Sequence, residues 1–125
     1  MILDTNGLSA VADGETALDP ILRKAAEVAI PAIVLGEYRY GIRQSRDRQR
    51  YEQWLQESIR NYRVLDVDEE TAAFYSSLRS ELRRAGTPIP ANDAWIAALC
   101  RQHSLPILSR DRHFDLVRGV VRIDF

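Results

Sequence analysis

Met1-Ile2-Leu3-Asp4-Thr5-Asn6 (residues 1–6) is an apolar run cut short by an acid and two small polar residues. An unbroken apolar run reads as a strand buried on both faces, the kind found in parallel sheets rather than in half-exposed antiparallel ones. Working outward, stretches of helical spacing alternate with further short strands. Thr5–Val11 reads as a helical turn and Ala17–Glu27 as a helix. Val28–Ala32 is a strand, and Ile33–Gln44 a helix. Asp47–Tyr62 is amphipathic, with Tyr51, Trp54, Leu55, Ile59 and Tyr62 at helical spacing, in a stripe that serves equally as core or as an interface. Arg63–Val67, Leu105–Ser109 and Val120–Ile123 complete the strands.

Asp68 reads as an N-cap, with Glu69 and Glu70 complementing the dipole of a helix that runs to Ala85 and stops at Gly86. Thr87-Pro88-Ile89-Pro90 cannot continue a helix. Asn92–His103 is apolar nearly all round its middle and belongs at the centre of the molecule. Strands alternating with helices predict a three-layer α/β/α arrangement, in which helices cover both faces of a central parallel sheet of four to five short strands. Residues 1–125 are expected to form one domain.

In such a sheet the carboxyl ends of the strands meet at one edge, where ligands bind. Four acids follow short apolar runs: Asp4, Glu37, Asp93 and Asp111. Taken singly, Asp4 is a helix cap, Asp93 a dipole partner in a first turn and Asp111 a turn residue. Glu37 has the weakest bland explanation, because Ile33 and Tyr40 place it on the inward side of its helix. Gathered at one edge the four repel one another unless a cation neutralises them. Hard oxygen ligands suit Mg²⁺ or Mn²⁺. One such ion, or two about 3.5–4 Å apart, supports phosphodiester hydrolysis. Thr5, Asn6 and Ser109 are candidates for supporting the ligands or positioning a water, and Asp115 for helping from the next turn. Asp66 and Asp124 need no such role. The histidines rank low: His103 is placed as a helix-end dipole partner, and His113 belongs to no zinc-type spacing.

Net charge is −1, yet all 17 basic residues except Lys24 are arginine, the side chain best shaped for phosphate. Arg39, Arg43 and Arg46 begin a basic stretch just after Glu37 and are candidate nucleic-acid contacts. A solvated helix surface is the plain alternative for that stretch. The single Cys100, in an apolar run, excludes an intramolecular disulfide and suits a reducing cytoplasm. No apolar stretch is long enough to span a bilayer, so no membrane association is expected.

Four segments, Ile2–Asn6, Gly36–Gly41, Pro90–Ala98 and Ser109–Phe114, resemble in their order the motifs of PIN-domain ribonucleases, specifically the toxins of VapBC-type toxin–antitoxin pairs. The resemblance implies a Mg²⁺- or Mn²⁺-dependent endoribonuclease with Asp4, Glu37, Asp93 and Asp111 as its acidic set and Ser109 in the polar position before the last acid. It further implies a homodimer, inhibition by a cognate antitoxin, and tRNA or ribosomal RNA as substrate. Gly7 is smaller than the residue usual after Asp-Thr-Asn, which predicts a looser turn, and Ser109 replaces the commoner Thr. A receiver domain is disfavoured because Lys24, the only lysine, is far from any strand end. An aspartyl phosphatase is disfavoured because Asn6 stands where a second Asp is needed. A PIN-like RNA-binding or scaffold protein that does not cut remains as the alternative.

Overall fold

The computed structural model describes residues 1–125. Five parallel strands form one sheet: β1 (Ile2–Leu3), β2 (Ala29–Pro31), β3 (Arg63–Leu65), β4 (Ile107–Leu108) and β5 (Arg122–Ile123), in the spatial order β3-β2-β1-β4-β5. Six helices connect them: α1 (Thr5–Ala12), α2 (Asp19–Lys24), α3 (Ala32–Arg43), α4 (Arg48–Ser58), α5 (Glu69–Arg84) and α6 (Ala91–His103). The chain steps β1→β2→β3 in one direction and returns past β1 to β4. Right-handed crossovers then place the helices before β3 on one face and α5 and α6 on the other. Packing agrees, with α1, α3 and α4 in mutual contact and α5 lying along α6. The expected three-layer α/β architecture is what the chain adopts.

Neighbouring strands pair over only one to three residues, fewer than their apolar runs suggest. Burial extends beyond the ladder. Met1 through Asp4, Ala29 to Pro31 and Ile107 to Ser109 are all buried, so hydrophobic sequence marks the core rather than the hydrogen-bonded register. The central position of α6 is as expected: Ala94 and Ile96 through Cys100 are buried. Burial pushes the Cys100 thiol up to about 12, which leaves it an unreactive core group.

Two helices are shorter than their periodicity predicts. In place of one helix over 17–27 there is a 3₁₀ turn, Thr16–Leu18, and then α2, with Pro20 in its first turn. The chain leaves helical geometry at Ala25 because Ala29 must pair with Ile2 in β1. Likewise α4 gives way after Ser58 to a 3₁₀ turn, Ile59–Asn61, that turns the chain toward Arg63, the partner of Ala29. Local caps follow the sequence more closely. Asp68 forms a capping box with Thr71, and Gly86 takes the left-handed conformation (φ +71°) that ends α5.

Candidate metal centre at the strand-end crevice

Strand order reverses between β1 and β4, and this switch point opens the crevice at the carboxyl ends of an α/β sheet. The register pairs Ile2 with Ile107 and Leu3 with Leu108, so Asp4 and Ser109 come next, side by side. Asp4 is only 4% exposed. One carboxylate oxygen, Oδ1, accepts the Gly7 N–H at 2.8 Å and so caps α1. The other, Oδ2, accepts the Ser109 hydroxyl. A carboxylate has about four acceptor sites, so capping and cation binding are compatible roles for this one group. Burial raises the Asp4 pKa, against the opposing pull of its bonds to Ser109 and Gly7.

Gly7 does not loosen this turn. A Cβ there would stand 2.9 Å from the Leu108 carbonyl oxygen, so the missing side chain lets α1 seat directly on β4. The expectation of a slack turn is corrected on that ground.

Beyond β4 the same serine holds the next acid. Ser109 Oγ accepts the Asp111 N–H at 2.9 Å while donating to Asp4. Asp111 caps a 3₁₀ turn, Arg112–Leu116, by accepting the His113 N–H at 2.9 Å. That turn swings the His113 ring back over the acids. Its Nδ1 lies 3.0 Å from Asp93 Oδ2 and 3.1 Å from Asp111 Oδ1. Asp93 enters from the first turn of α6. Donor atoms of Asp93, Asp111 and His113 all lie within 4.8 Å of one another. A continuous chain, Asp4–Ser109–Asp111–His113–Asp93, thus crosses the crevice.

His113, which no zinc-type spacing marks in the sequence, joins the acids in the folded chain. One histidine two residues after an acid in a 3₁₀ turn suffices to bring it there. Hydrogen bonding to Asp93 raises the His113 pKa, with Asp111 adding to it. Burial is the leading cause that raises the Asp93 pKa, and His113 opposes it.

Glu37 extends from the second turn of α3 and is half-buried. Burial raises its pKa first, then the charges of Asp93 and Asp4, while side-chain hydrogen bonds from Thr5 and Asn92 pull the other way. Asn6 similarly favours the ionised form of Asp4. The acids expected at one edge are therefore electrostatically coupled, and Thr5 and Asn6 flank them.

Asp115, expected to help the acids from the next turn, is placed elsewhere. It does not face the acids: Arg122 holds it by two bonds, at 2.8 and 3.0 Å, which lower its pKa. Arg122 also donates to the Ser109 carbonyl at 2.9 Å and to Asp124 at 2.9 Å. From β5 this one side chain, 11% exposed, ties down both ends of the loop that carries Asp111. Among the arginines, Arg48 pairs with Glu52 and Arg50 with Asp47. Arg39, Arg43 and Arg46 are exposed and make no such pair. Those three remain available to an outside anion.

The donor set fits a divalent cation. Several carboxylates raised in pKa by burial and mutual proximity share one imidazole and no arginine or lysine, which is the charge imbalance a hard cation relieves.

A parallel sheet with coupled carboxylates at its switch point defines a class: small α/β proteins built around an acidic centre at the strand ends. The family model described as "PIN domain" matches residues 1–120, and the chain belongs to that family. It is 30% identical over 101 residues to ribonuclease VapC4 of Mycobacterium tuberculosis, covering 79% of this chain and 78% of that one. It is 27% identical over 125 residues to ribonuclease VapC5 of the same organism, covering 98% and 91%. The crystal structure of VapBC-5 from that organism, a member of the VapBC family of toxin–antitoxin systems, superimposes with a TM-score of 0.75 at 29% identity, covering 99% of this chain and 95% of that one. The resemblance read from four motifs is thus a family relationship spanning nearly the whole chain, and the chain is a VapC-type member of it.

Proposed function

We propose that this protein is a metal-dependent endoribonuclease toxin of a type II toxin–antitoxin pair. The observation that carries the reading is the hydrogen-bonded chain from Asp4 through Ser109 to Asp111, His113 and Asp93 at the switch point of a PIN fold. Relatives named as ribonucleases support the activity, and a toxin–antitoxin structure supports a VapB-like partner.

Asp4, Asp93, Asp111 and Glu37 would hold Mg²⁺ or Mn²⁺, with His113 beside them. When bound, the ion supplies Lewis-acid stabilisation for an in-line displacement at phosphorus. The protein's own part is positioning. Ser109 keeps its proton on the bond to Asp4, which orients both oxygens of that carboxylate, and its lone pair fixes the Asp111 backbone. Burial of Asp4 keeps water away from the floor of the crevice. A neutral His113 offers Nδ1 as a donor atom, and a protonated one acts as a counter-ion to Asp93 and Asp111. Arg39, Arg43 and Arg46 draw the phosphate backbone toward Glu37. A tRNA or ribosomal RNA substrate and a homodimeric assembly complete the proposal. No helix is long and apolar enough to cross a membrane.

Purified protein should cut RNA, stop in EDTA and recover on addition of Mg²⁺ or Mn²⁺. Cleavage indifferent to chelation would exclude the metal mechanism. Sequencing of RNA ends after controlled expression identifies the substrate.

A further inference from the structure

Outside the acidic crevice, α5 presents a second basic surface that the proposed mechanism does not use. Tyr75, Arg79 and Arg83 are spaced four residues apart and form one stripe along α5. Tyr75 stacks on Trp95 of α6, with ring centroids 3.7 Å apart and planes at 13°. Over the Tyr75 ring lies the Arg79 guanidinium, its Cζ 5.5 Å from the ring centroid, and its Nη1 donates to the Tyr75 hydroxyl at 2.8 Å. Arg79 and Arg83 are exposed and neither is in an ion pair; the nearby Arg101 is taken by Glu81 at 2.6 Å. The two free arginines line a cavity of about 510 Å³ with Pro88 and Ile89 as its far wall. That wall leads through Pro90 directly into the first turn of α6, which carries Asp93.

Stacked aromatic and guanidinium planes beside unpaired positive charge are the two elements of a single-stranded nucleic-acid track. We infer that the Arg79–Arg83 groove, with the Arg79–Tyr75–Trp95 stack, binds an unpaired segment of the RNA substrate next to the crevice. The exposed face of the Arg79 guanidinium takes a base, and Arg83 takes a phosphate. This rests on the reading of the protein as an RNA-cutting enzyme and adds to it a second place, outside the acidic crevice, where the unpaired substrate is held. Charge complementarity selects RNA over an apolar occupant, since the rim of the groove is cationic.

The test measures binding of a short single-stranded oligoribonucleotide and of its duplex, in the Asp4→Asn background so that the RNA stays whole. Arg79→Ala should weaken single-strand binding on the order of tenfold, as loss of one stacked base does. Arg83→Ala should reduce the slope of log K against log salt by about 0.7. Arg79→Lys keeps the charge and loses the plane, so it should leave the salt slope at the wild-type value and the affinity as low as in Arg79→Ala. Wild-type affinity in Arg79→Lys, or an unchanged slope in Arg83→Ala, overturns the inference. So does duplex binding as tight as single-strand binding. A change in oligomeric state by sedimentation, with RNA affinity per subunit unchanged, assigns the face to a contact between copies and also overturns it. Cleavage by the protein with Asp4 intact is assayed in parallel. Failure to cut any RNA while the groove variants still lose binding would strike the nuclease reading alone.

Discussion

The two halves of the acidic crevice are built differently. On the β1–β4 side, Asp4 and Ser109 are buried, each held by more than one bond, and backbone carbonyl packing at Gly7 leaves no room to shift. On the α6 side, Asp93 and Asp111 are partly exposed and the His113 side chain is 46% exposed. One half is a fixed floor, and the other is a rim open to solvent and to a ligand. Geometry at the floor is set before anything binds, whereas binding can still adjust the rim.

The largest loss is expected at the floor. Asp4→Asn keeps an oxygen to cap α1, so the fold should survive while the charge is lost. RNA cleavage should fall on the order of 10²–10³-fold or more, as for removal of one preorganised electrostatic group. An unchanged thermal melt beside a cleavage assay checks both halves of that statement, and wild-type cleavage would remove Asp4 from the site.

Ser109→Ala tests the link between floor and rim. It strips a donor from Asp4 and an acceptor from the Asp111 N–H, and should cost about 1–3 kcal/mol of stability by denaturant unfolding. The Mn²⁺ concentration needed for half-maximal cleavage should rise on the order of 10–100-fold. Ser109→Thr, which retains the hydroxyl, should recover most of the metal response.

Glu37→Gln exposes the repulsion among the acids through pH. The folded pKa of Glu37 lies above its unfolded value, chiefly through burial and then through Asp93 and Asp4. Its contribution to stability is therefore present below the unfolded pKa of about 4.3 and is lost as pH rises through the folded value. In EDTA the Gln variant should melt above wild type at neutral pH and together with it near pH 4. Added Mn²⁺ should raise the wild-type melting temperature more than the variant's. A gap that persists unchanged at low pH would show that repulsion is not what the substitution relieves.

The smallest effect belongs to the outer arginines. Arg43→Ala with Arg46→Ala should weaken RNA binding and lower its salt slope by about 0.7 for each lost phosphate contact, without altering stability. An unchanged slope returns that stretch to solvated surface.

Much of this layout was legible in the chain. Apolar runs followed by Asp4 and Asp111 marked strands and their ends, Asp68 and Gly86 marked the limits of α5, and the apolar middle of α6 marked the centre of the molecule. Periodicity overreached at 17–27 and near Ser58, where strand register forces the chain out of helix earlier than its side chains require. Asp115 and His113 exchanged importance for a single reason. Position along the chain says that both lie near Asp111, but a 3₁₀ turn decides which of them faces the acids, and Arg122, in a later strand, takes the other.

By itself the sequence determined what is local or periodic: the alternation of strand and helix, the caps, the core residues and the identity of the acids. Tertiary structure alone decided what depends on register between distant segments. Ser109 meets Asp4 because β1 and β4 pair in parallel, and Asp93 meets His113 because α6 starts beside the turn after β4. Those contacts join residues far apart in the chain, and only closure of the sheet brings such groups within hydrogen-bonding reach.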